Sequence, residues 1–257
     1  MLCPRGKGLE RNGEYNLPSL VIPAAGLGSR MGNGSKPKAL TPFRSGTLIS
    51  HVINQAPEFV DEIVIVISPA AEKSFIDSFA SEDLTTGTRD RIKFAFQTNP
   101  TGSLDAVKLG LQFVTQNRCV IVWADQIGVT RKLIEAVFLQ LNQGELSIPL
   151  LWKENPYVWL DADRSQVFEV FRSRDGDSPP SSGWTDLGCF GLGKQAREFL
   201  LSRELSDLDD SRELDFTYAL PNISSKFPTS TFEWSDPLAA ISVNSPSELV
   251  EAERLIT

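Results

Sequence analysis

Cysteine is scarce in this chain. The three present, Cys3, Cys119 and Cys189, stand far apart and form no C-x-x-C pair. An odd, scattered set argues against a disulfide framework and fits reduced thiols, with Cys119 and Cys189 in apolar runs that suit core positions. Long hydrophobic runs are missing too: the longest, such as Ile63–Ile67, fall far short of a bilayer span, and the N-terminus carries no apolar signal region. A soluble, cytoplasmic protein is expected. Basic excess is absent, with 25 Lys and Arg against 33 Asp and Glu and a net charge of −8. That balance excludes a general nucleic-acid or anionic-membrane face, although a few local cations can still hold an anionic ligand. There is one histidine, His51, in a half-apolar segment, where it reads as structural. No internal repeat or low-complexity tail is visible. What remains is an ordinary globular composition of 257 residues, 41% hydrophobic and 23% charged, long enough for a full core.

Two familiar glycine loops are missing as well. In the dinucleotide pattern G-x-G-x-x-G the third glycine would replace Met31, but Gly32 comes one place late; a Walker A loop cannot be placed between Gly26 and Lys38. The chain has instead an apolar run, Leu20-Val21-Ile22-Pro23, that breaks into Ala24-Ala25-Gly26-Leu27-Gly28-Ser29-Arg30-Met31 and closes with Lys36-Pro37-Lys38-Ala39-Leu40. Gly26 and Gly28 remove Cβ atoms where backbone must turn and approach a ligand. Successive N–H groups in such a loop make a concavity for anions. Arg30 offers a planar fork of donors for phosphate oxygens, and Lys38 a compact positive charge. The loop reads as a triphosphate cradle.

Residues 1–17 read as a loose polar leader and residues 18–257 as one domain. Strand-like runs Leu20–Ala24, Glu62–Ile67, Ile92–Phe96 and Cys119–Ala124 alternate with helical patterns at Thr47–Gln55, Ala70–Phe79, Ser103–Val114 and Thr130–Leu141. This rhythm predicts a parallel sheet with helices on both faces. Ser68-Pro69 is suited to cap one helix and open its first turn. The second half is less regular, with strand-like pieces at Leu146–Trp152, Gln166–Phe171, Leu187–Leu192 and Thr231–Trp234. Arg174–Gly183 reads as a loop and the acidic Leu205–Leu214 as a solvated one. Asp161 and Asp163 form a D-x-D that reads as a turn. Ser245-Pro246-Ser247-Glu248 has the form of a capping box opening a last helix, Pro246–Ile256.

The pattern A-A-G-x-G-x-R-M followed by P-K-x-L resembles the sugar-nucleotidyltransferase family, within a superfamily that includes the molybdopterin and methylerythritol-phosphate nucleotidyltransferases. The resemblance implies a single-domain, Rossmann-like (GT-A type) α/β fold, three-layered α/β/α with a mixed, mostly parallel sheet. It implies Mg²⁺-dependent transfer of a nucleoside monophosphate from an NTP (UTP, CTP or dTTP) to a sugar 1-phosphate or similar small phosphorylated acceptor, releasing pyrophosphate. A homo-oligomer is compatible with it. The acyltransferase hexapeptide repeats that family members often append are not found in this sequence.

Carried over residue by residue, the resemblance gives Ala24, Ala25, Gly26 and Gly28 to the nucleotide, Arg30 to its β- and γ-phosphates, and Lys38 to the α-phosphate and attacking oxygen. Gln97 ends a strand and Gly102-Ser103 opens a helix five residues on, like the family's pyrimidine-reading pair; the amide can both donate to and accept from a base edge, and Ser103 suits a helix cap. Asp125 follows the buried run Cys119–Ala124, at the sheet edge where ligands bind in open α/β folds. It would share Mg²⁺ with Asn244, in a V-N-S-P run like the family's, as hard oxygen ligands. Ala124 and Ile127 depart from the family's Gly-Asp-x-Pro. On the acceptor side, Arg172 replaces a family glutamate; Arg172 and Arg174 can bind the acceptor phosphate or stand as solvated strand-end charges, and Asp186 matches a sugar contact. Two alternatives stay open: a catalytically silent nucleotide-binding domain, and a molybdopterin-type guanylyl- or cytidylyltransferase.

Overall fold

The computed structural model describes residues 17–26, 28, 31, 36–81, 84–99, 101–203 and 214–256. Arg30, residues 1–16 of the expected leader and nearly all of the acidic segment Leu205–Leu214 lie outside these. Twelve strands run in chain order: β1 Ser19–Pro23, β2 Pro42–Phe43, β3 Gly46–Thr47, β4 Glu62–Ile67, β5 Ile92–Phe96, β6 Cys119–Val122, β7 Leu146–Glu154, β8 Val158–Ala162, β9 Val167–Arg172, β10 Ser182–Asp186, β11 Cys189–Leu192 and β12 Thr229–Glu233. The described helices are α1 Leu48–Asn54, α2 Glu72–Ser81, α3 Thr86–Arg89, α4 Ser103–Gln112, α5 Arg131–Gln140, α6 Lys194–Ser202, α7 Leu220–Ser224 and α8 Pro246–Leu255.

Ten strands form one mixed sheet in the order β5-β4-β1-β6-β11-β7-β10-β8-β9, with β12 beside β7. The first four are all parallel, as the alternation of strands and helices requires. Beyond β6 the pairings are antiparallel except β12 on β7. Because helices cover both faces of the parallel core, its inner strands β1, β4 and β6 are apolar but for Ser19 and Glu62 at their starts, while the edge strand β5 carries the exposed Lys93. Leu20, Ile22, Ile63, Ile65 and Ile67 face one layer, with Ile49, Phe75, Leu133 and Ile134 from α1, α2 and α5. Val21, Val64 and Val66 face the other, with Leu104, Val107 and Leu111 of α4 and Leu200 of α6. A third, smaller cluster joins Met31, Phe43, Leu48, Ile127, Val243 and Ala252.

Several local expectations are corrected. Ser68 makes no side-chain cap; Pro69–Ala71 is a 3-10 turn, and α2 starts after it. In the last helix Ser245 does accept from the Glu248 N–H, but Glu248 reaches past it to the N–H of Asn244 at 2.6 Å, so the reciprocal box is not closed. The run Leu187–Leu192 becomes strand only at Cys189, because Gly188 has φ 62° and a Cβ there would lie 2.7 Å from the Trp123 ring. His51 is structural: its Nε2–H donates to the Ile127 carbonyl at 3.0 Å, and its ring meets Phe43 edge-on.

Glu62, at the amino end of β4, pins that edge of the sheet. It is buried, and accepts from the Ser19 hydroxyl at 2.5 Å, Lys93 at 2.6 Å and the Thr115 N–H at 2.8 Å. Burial alone would raise its carboxyl, but these donors outweigh it and hold the group below its ordinary 4.5. A carboxylate depressed on folding adds stability above the unfolded value and loses it as pH falls through the folded one. The unfolding midpoint should therefore drop as pH is lowered below 4.5. Glu62→Gln should remove that part of the dependence, read by denaturant titration across the acid range.

Candidate functional site

A cavity of about 440 Å³, within the range of small-molecule sites, opens at the carboxyl ends of β1, β5 and β6. It is lined by Ala24, Ala25, Gly26 and Gly28 after β1, by Gln97, Gly102 and Ser103 after β5, and by Trp123, Ala124 and Asp125 after β6. Lys38 and Asn244 complete it from more distant segments. This is the edge of an open α/β sheet at which ligands bind.

The glycine loop divides its labour. Gly28 has φ 63°, and a Cβ would sit 2.5 Å from the Cβ of Lys38; its glycine is required by the fold. At Gly26 a Cβ would meet nothing within 4 Å among the described residues, and Gly26 lines the cavity. Gly28→Ala should thus cost about 1 kcal/mol or more through backbone strain alone. Gly26→Ala should stay within about 0.5 kcal/mol of wild type while weakening any ligand seated there. Thermal melts paired with nucleotide titration check both.

Across the cavity, Lys38 Nζ touches the carboxylate of Asp125 and lies 2.8 Å from Asn244 Oδ1. Lys38 heads a 3-10 turn, Lys38–Leu40, and its backbone N–H donates to the Gly26 carbonyl at 3.3 Å. The Asp125 segment is clamped to the chain before α8. Val243 N–H donates to the Asp125 carbonyl at 3.0 Å, Gly128 N–H to Ile241 at 2.9 Å, and the Gln126 amide to Ala239 at 3.0 Å. Ile127, 1% exposed, anchors the third core cluster. Apolar packing and this clamp set the shape of the loop that lacks the family's glycine and proline.

Asp125 and Asn244 converge on one cation. A carboxylate and an amide oxygen are hard ligands of the kind Mg²⁺ accepts alongside phosphate oxygens and water. Among the described residues there is no cluster of three His, Cys, Asp or Glu that would hold a metal alone. The two oxygens fit a metal that takes its other ligands from phosphates and water.

Gln97 departs from the expected two-bond reading. Its Nε2 donates to Asp105 Oδ2 at 2.8 Å and to the Gly102 carbonyl at 3.2 Å, which occupies both amide hydrogens within the chain. Gly102 itself is the N-cap of α4, with φ 139°, and a Cβ there would come 2.1 Å from the Leu214 carbonyl oxygen. Its glycine is thus demanded by packing against Leu214. Ser103 is the first helical residue rather than the cap, and its hydroxyl accepts from the Phe216 N–H at 3.0 Å.

Arg172, Arg174 and Asp186 are not among the residues lining the cavity. Arg172 is buried and paired with Asp215 at 2.7 Å, its guanidinium over the Tyr218 ring. Arg174 lies 3.6 Å from the same carboxylate. Asp186 accepts from the Gly188 N–H at 2.8 Å, and burial holds its carboxyl above the usual range against that bond and Arg172. The reading of the arginines as solvated is corrected for Arg172, which has an internal counter-ion. Asp163 accepts from the N–H groups of Ser165 and Gln166, the expected turn, whereas Asp161 stands on β8.

Trp123 escaped the sequence reading. It lines the cavity and packs edge-on against Phe190 and Phe216, at centroid distances of 5.7 and 6.0 Å. The signal was present: an aromatic interrupts an otherwise aliphatic strand two residues before the carboxylate.

Fold and cavity together define a nucleotidyltransferase domain. The chain belongs to the family of MobA-like NTP transferase domains, whose model matches residues 20–179. It is similar to the bifunctional protein GlmU of Francisella tularensis subsp. novicida, 27% identical over 138 residues, which make up 54% of this chain and 28% of that protein. The chain thus matches under a third of that relative's length. Its fold resembles a putative glucose-1-phosphate thymidylyltransferase from Bacillus anthracis, with TM-score 0.69 and 16% identity, covering 93% of this chain and 94% of that one. It also resembles a CMP:2-keto-3-deoxy-manno-octonic acid synthetase solved with CTP, with TM-score 0.64 and 15% identity, covering 93% and 98%. Among the described residues, no helix is long and apolar enough to cross a membrane.

Proposed function

We propose that this chain catalyses Mg²⁺-dependent transfer of a nucleoside monophosphate from an NTP to a sugar 1-phosphate or a similar small phosphorylated acceptor. The observation that carries this reading is the meeting of Lys38, Asp125 and Asn244 at one point of a cavity that Gln97 also lines. Ala24, Ala25, Gly26 and Gly28 would cradle the triphosphate with backbone N–H groups, and Arg30 would hold its β- and γ-phosphates. Asp125 and Asn244 would hold Mg²⁺, which supplies charge neutralisation at the phosphates.

An acceptor phosphate oxygen attacks the α-phosphorus in line; the new P–O bond forms as the bond to the β-phosphate oxygen breaks, and pyrophosphate leaves. No protein nucleophile is needed, since the attacking oxygen is already anionic. The protein's part is positioning and charge stabilisation. Lys38, now engaged with Asp125 and Asn244, would turn its ammonium toward the α-phosphate and the attacking oxygen. Arg172 and Arg174 remain part of the proposal through Asp215, which lies one residue from Phe216, a neighbour of Ser103 and Trp123, and Asp186 through Gly188, whose carbonyl accepts from the Trp123 N–H. The curated relative is a bifunctional protein and the structural neighbours act on different sugars, so the acceptor is left at the class of small phosphorylated molecules.

A panel of NTPs against sugar 1-phosphates and related acceptors, reading pyrophosphate release with and without Mg²⁺, tests this. Release with one pair, abolished by chelation, is the expected result. Tight NTP binding without release in any pair would assign the chain to the silent nucleotide-binding alternative.

A further inference from the structure

We infer that Lys38 keeps the metal seat filled until a triphosphate arrives: its ammonium is the resting counter-ion of Asp125 and Asn244, and a divalent metal gains those oxygens only by driving it off. The inference rests on the cavity being a nucleotidyltransferase site. Lys38 Nζ touches Asp125 Oδ2 and donates to Asn244 Oδ1 at 2.8 Å. These are the two oxygens that suit Mg²⁺. The lysine contact and metal ligation therefore compete for the same lone pairs.

The three groups are not equally free to move. Asp125 is held through its backbone carbonyl, which accepts from the Val243 N–H at 3.0 Å. Asn244 is held twice. Its backbone N–H donates to Glu248 at 2.6 Å, and its Nδ2 donates to the Ser242 hydroxyl at 3.2 Å, leaving Oδ1 for a cation. Lys38 is fixed at its root: its N–H donates to the Gly26 carbonyl, and its Cβ lies where Gly28 carries none. The flexible four-carbon stem beyond that root is the part that can swing.

Charge decides when the exchange occurs. Asp125 is the one carboxylate among the described residues that line the cavity. A single negative charge balances the ammonium and cannot balance a divalent ion as well. Metal alone would leave Lys38 beside it, like charge against like charge. A triphosphate carries charge enough for both, since its oxygens receive the ammonium and complete the metal's ligands. Lys38 thus couples the two: the site admits metal and nucleotide together and holds metal poorly by itself. By linkage, each should raise the affinity for the other through the same residue.

Mn²⁺ binding in the absence of nucleotide, followed by electron paramagnetic resonance on wild type and Lys38→Met, tests this. Methionine keeps an unbranched apolar stem and removes the ammonium. The variant should bind Mn²⁺ about tenfold or more tightly than wild type, because no charged hydrogen bond has to be broken first. Adding Asn244→Ala to Lys38→Met should return the affinity to about the wild-type level, which places the gain at these oxygens rather than in the overall charge. A second reading needs no variant: acetylation of Lys38 by acetic anhydride, followed by mass spectrometry of its peptide. Saturating Mg²⁺ alone should speed the modification, since the displaced amine stands in solvent, and Mg²⁺ with a bound NTP should slow it again. Equal Mn²⁺ affinity in wild type and Lys38→Met, a gain that survives Asn244→Ala, or acetylation of Lys38 unmoved by Mg²⁺ overturns the inference. Failure of wild type to bind Mn²⁺ with any of UTP, dTTP, CTP, GTP and ATP contradicts the nucleotidyltransferase reading beneath it.

Discussion

Lys38→Ala is expected to reduce the rate of nucleotidyl transfer by roughly a hundredfold to a thousandfold, the usual consequence of losing about 3–4 kcal/mol of transition-state charge stabilisation. The ammonium already sits between Asp125 and Asn244, only a side-chain rotation from where the α-phosphate would lie. Stability should change little by comparison. The pair is only partly buried, with 15% and 23% of the two side chains exposed, so screening limits what the ion pair contributes to the fold. Lys38→Arg should not rescue, because a planar fork cannot replace a compact ammonium in the same seat. Single-turnover rates at saturating NTP, with circular dichroism to verify folding, make the comparison. A rate within a few fold of wild type would remove Lys38 from the reaction.

Asp125→Ala should be as damaging for a different reason. It removes the one carboxylate among the described lining residues and leaves Lys38, of the two partners described, with Asn244. Loss of one of two protein ligands should weaken Mn²⁺ binding, measured by electron paramagnetic resonance in the presence of nucleotide, by about 10- to 100-fold or more, comparable to the loss of a supporting partner at other metal sites. Transfer should fall by about a hundredfold or more with it. Because Lys38 and Asp125 touch, the double variant should cost less than the sum of the two single losses. Strict additivity would mean that the residues act independently.

The parallel core could be read from the sequence because local composition determined it. Glu62–Ile67 and Ile92–Phe96 end where the sequence places them; β4 is buried on both faces and reads as a near-continuous apolar run, while β5, at the sheet edge, carries the exposed Lys93 within its run. Thr47 and Thr130 cap α1 and α5 with their own hydroxyls, and these ends were equally visible. Of the antiparallel half, β7, β9, β11 and β12 were read to within a few residues, and β10 was not. β10 has the sequence Ser-Gly-Trp-Thr-Asp, with no strand pattern of its own, and takes its shape from pairing with β7, where Trp184 meets Trp152. β8 and α6 were missed in the same region.

In the site, the residue types were legible and their partnerships were not. Asp125 and Asn244 lie 87 and 206 residues from Lys38, and nothing local says that all three meet at one atom. Arg172 looked like a free phosphate ligand because its counter-ion, Asp215, comes from beyond the acidic segment.

Nucleotidyl transfer is defined by which bond of the triphosphate breaks. An NTP labelled at the α-phosphorus and the same NTP labelled at the γ-phosphorus, each incubated with Mg²⁺ and an acceptor that supports pyrophosphate release, decide it. Transfer of the α-label to the acceptor product, with the γ-label recovered wholly in pyrophosphate, is the predicted result. Recovery of the γ-label in orthophosphate or on the acceptor would contradict the account.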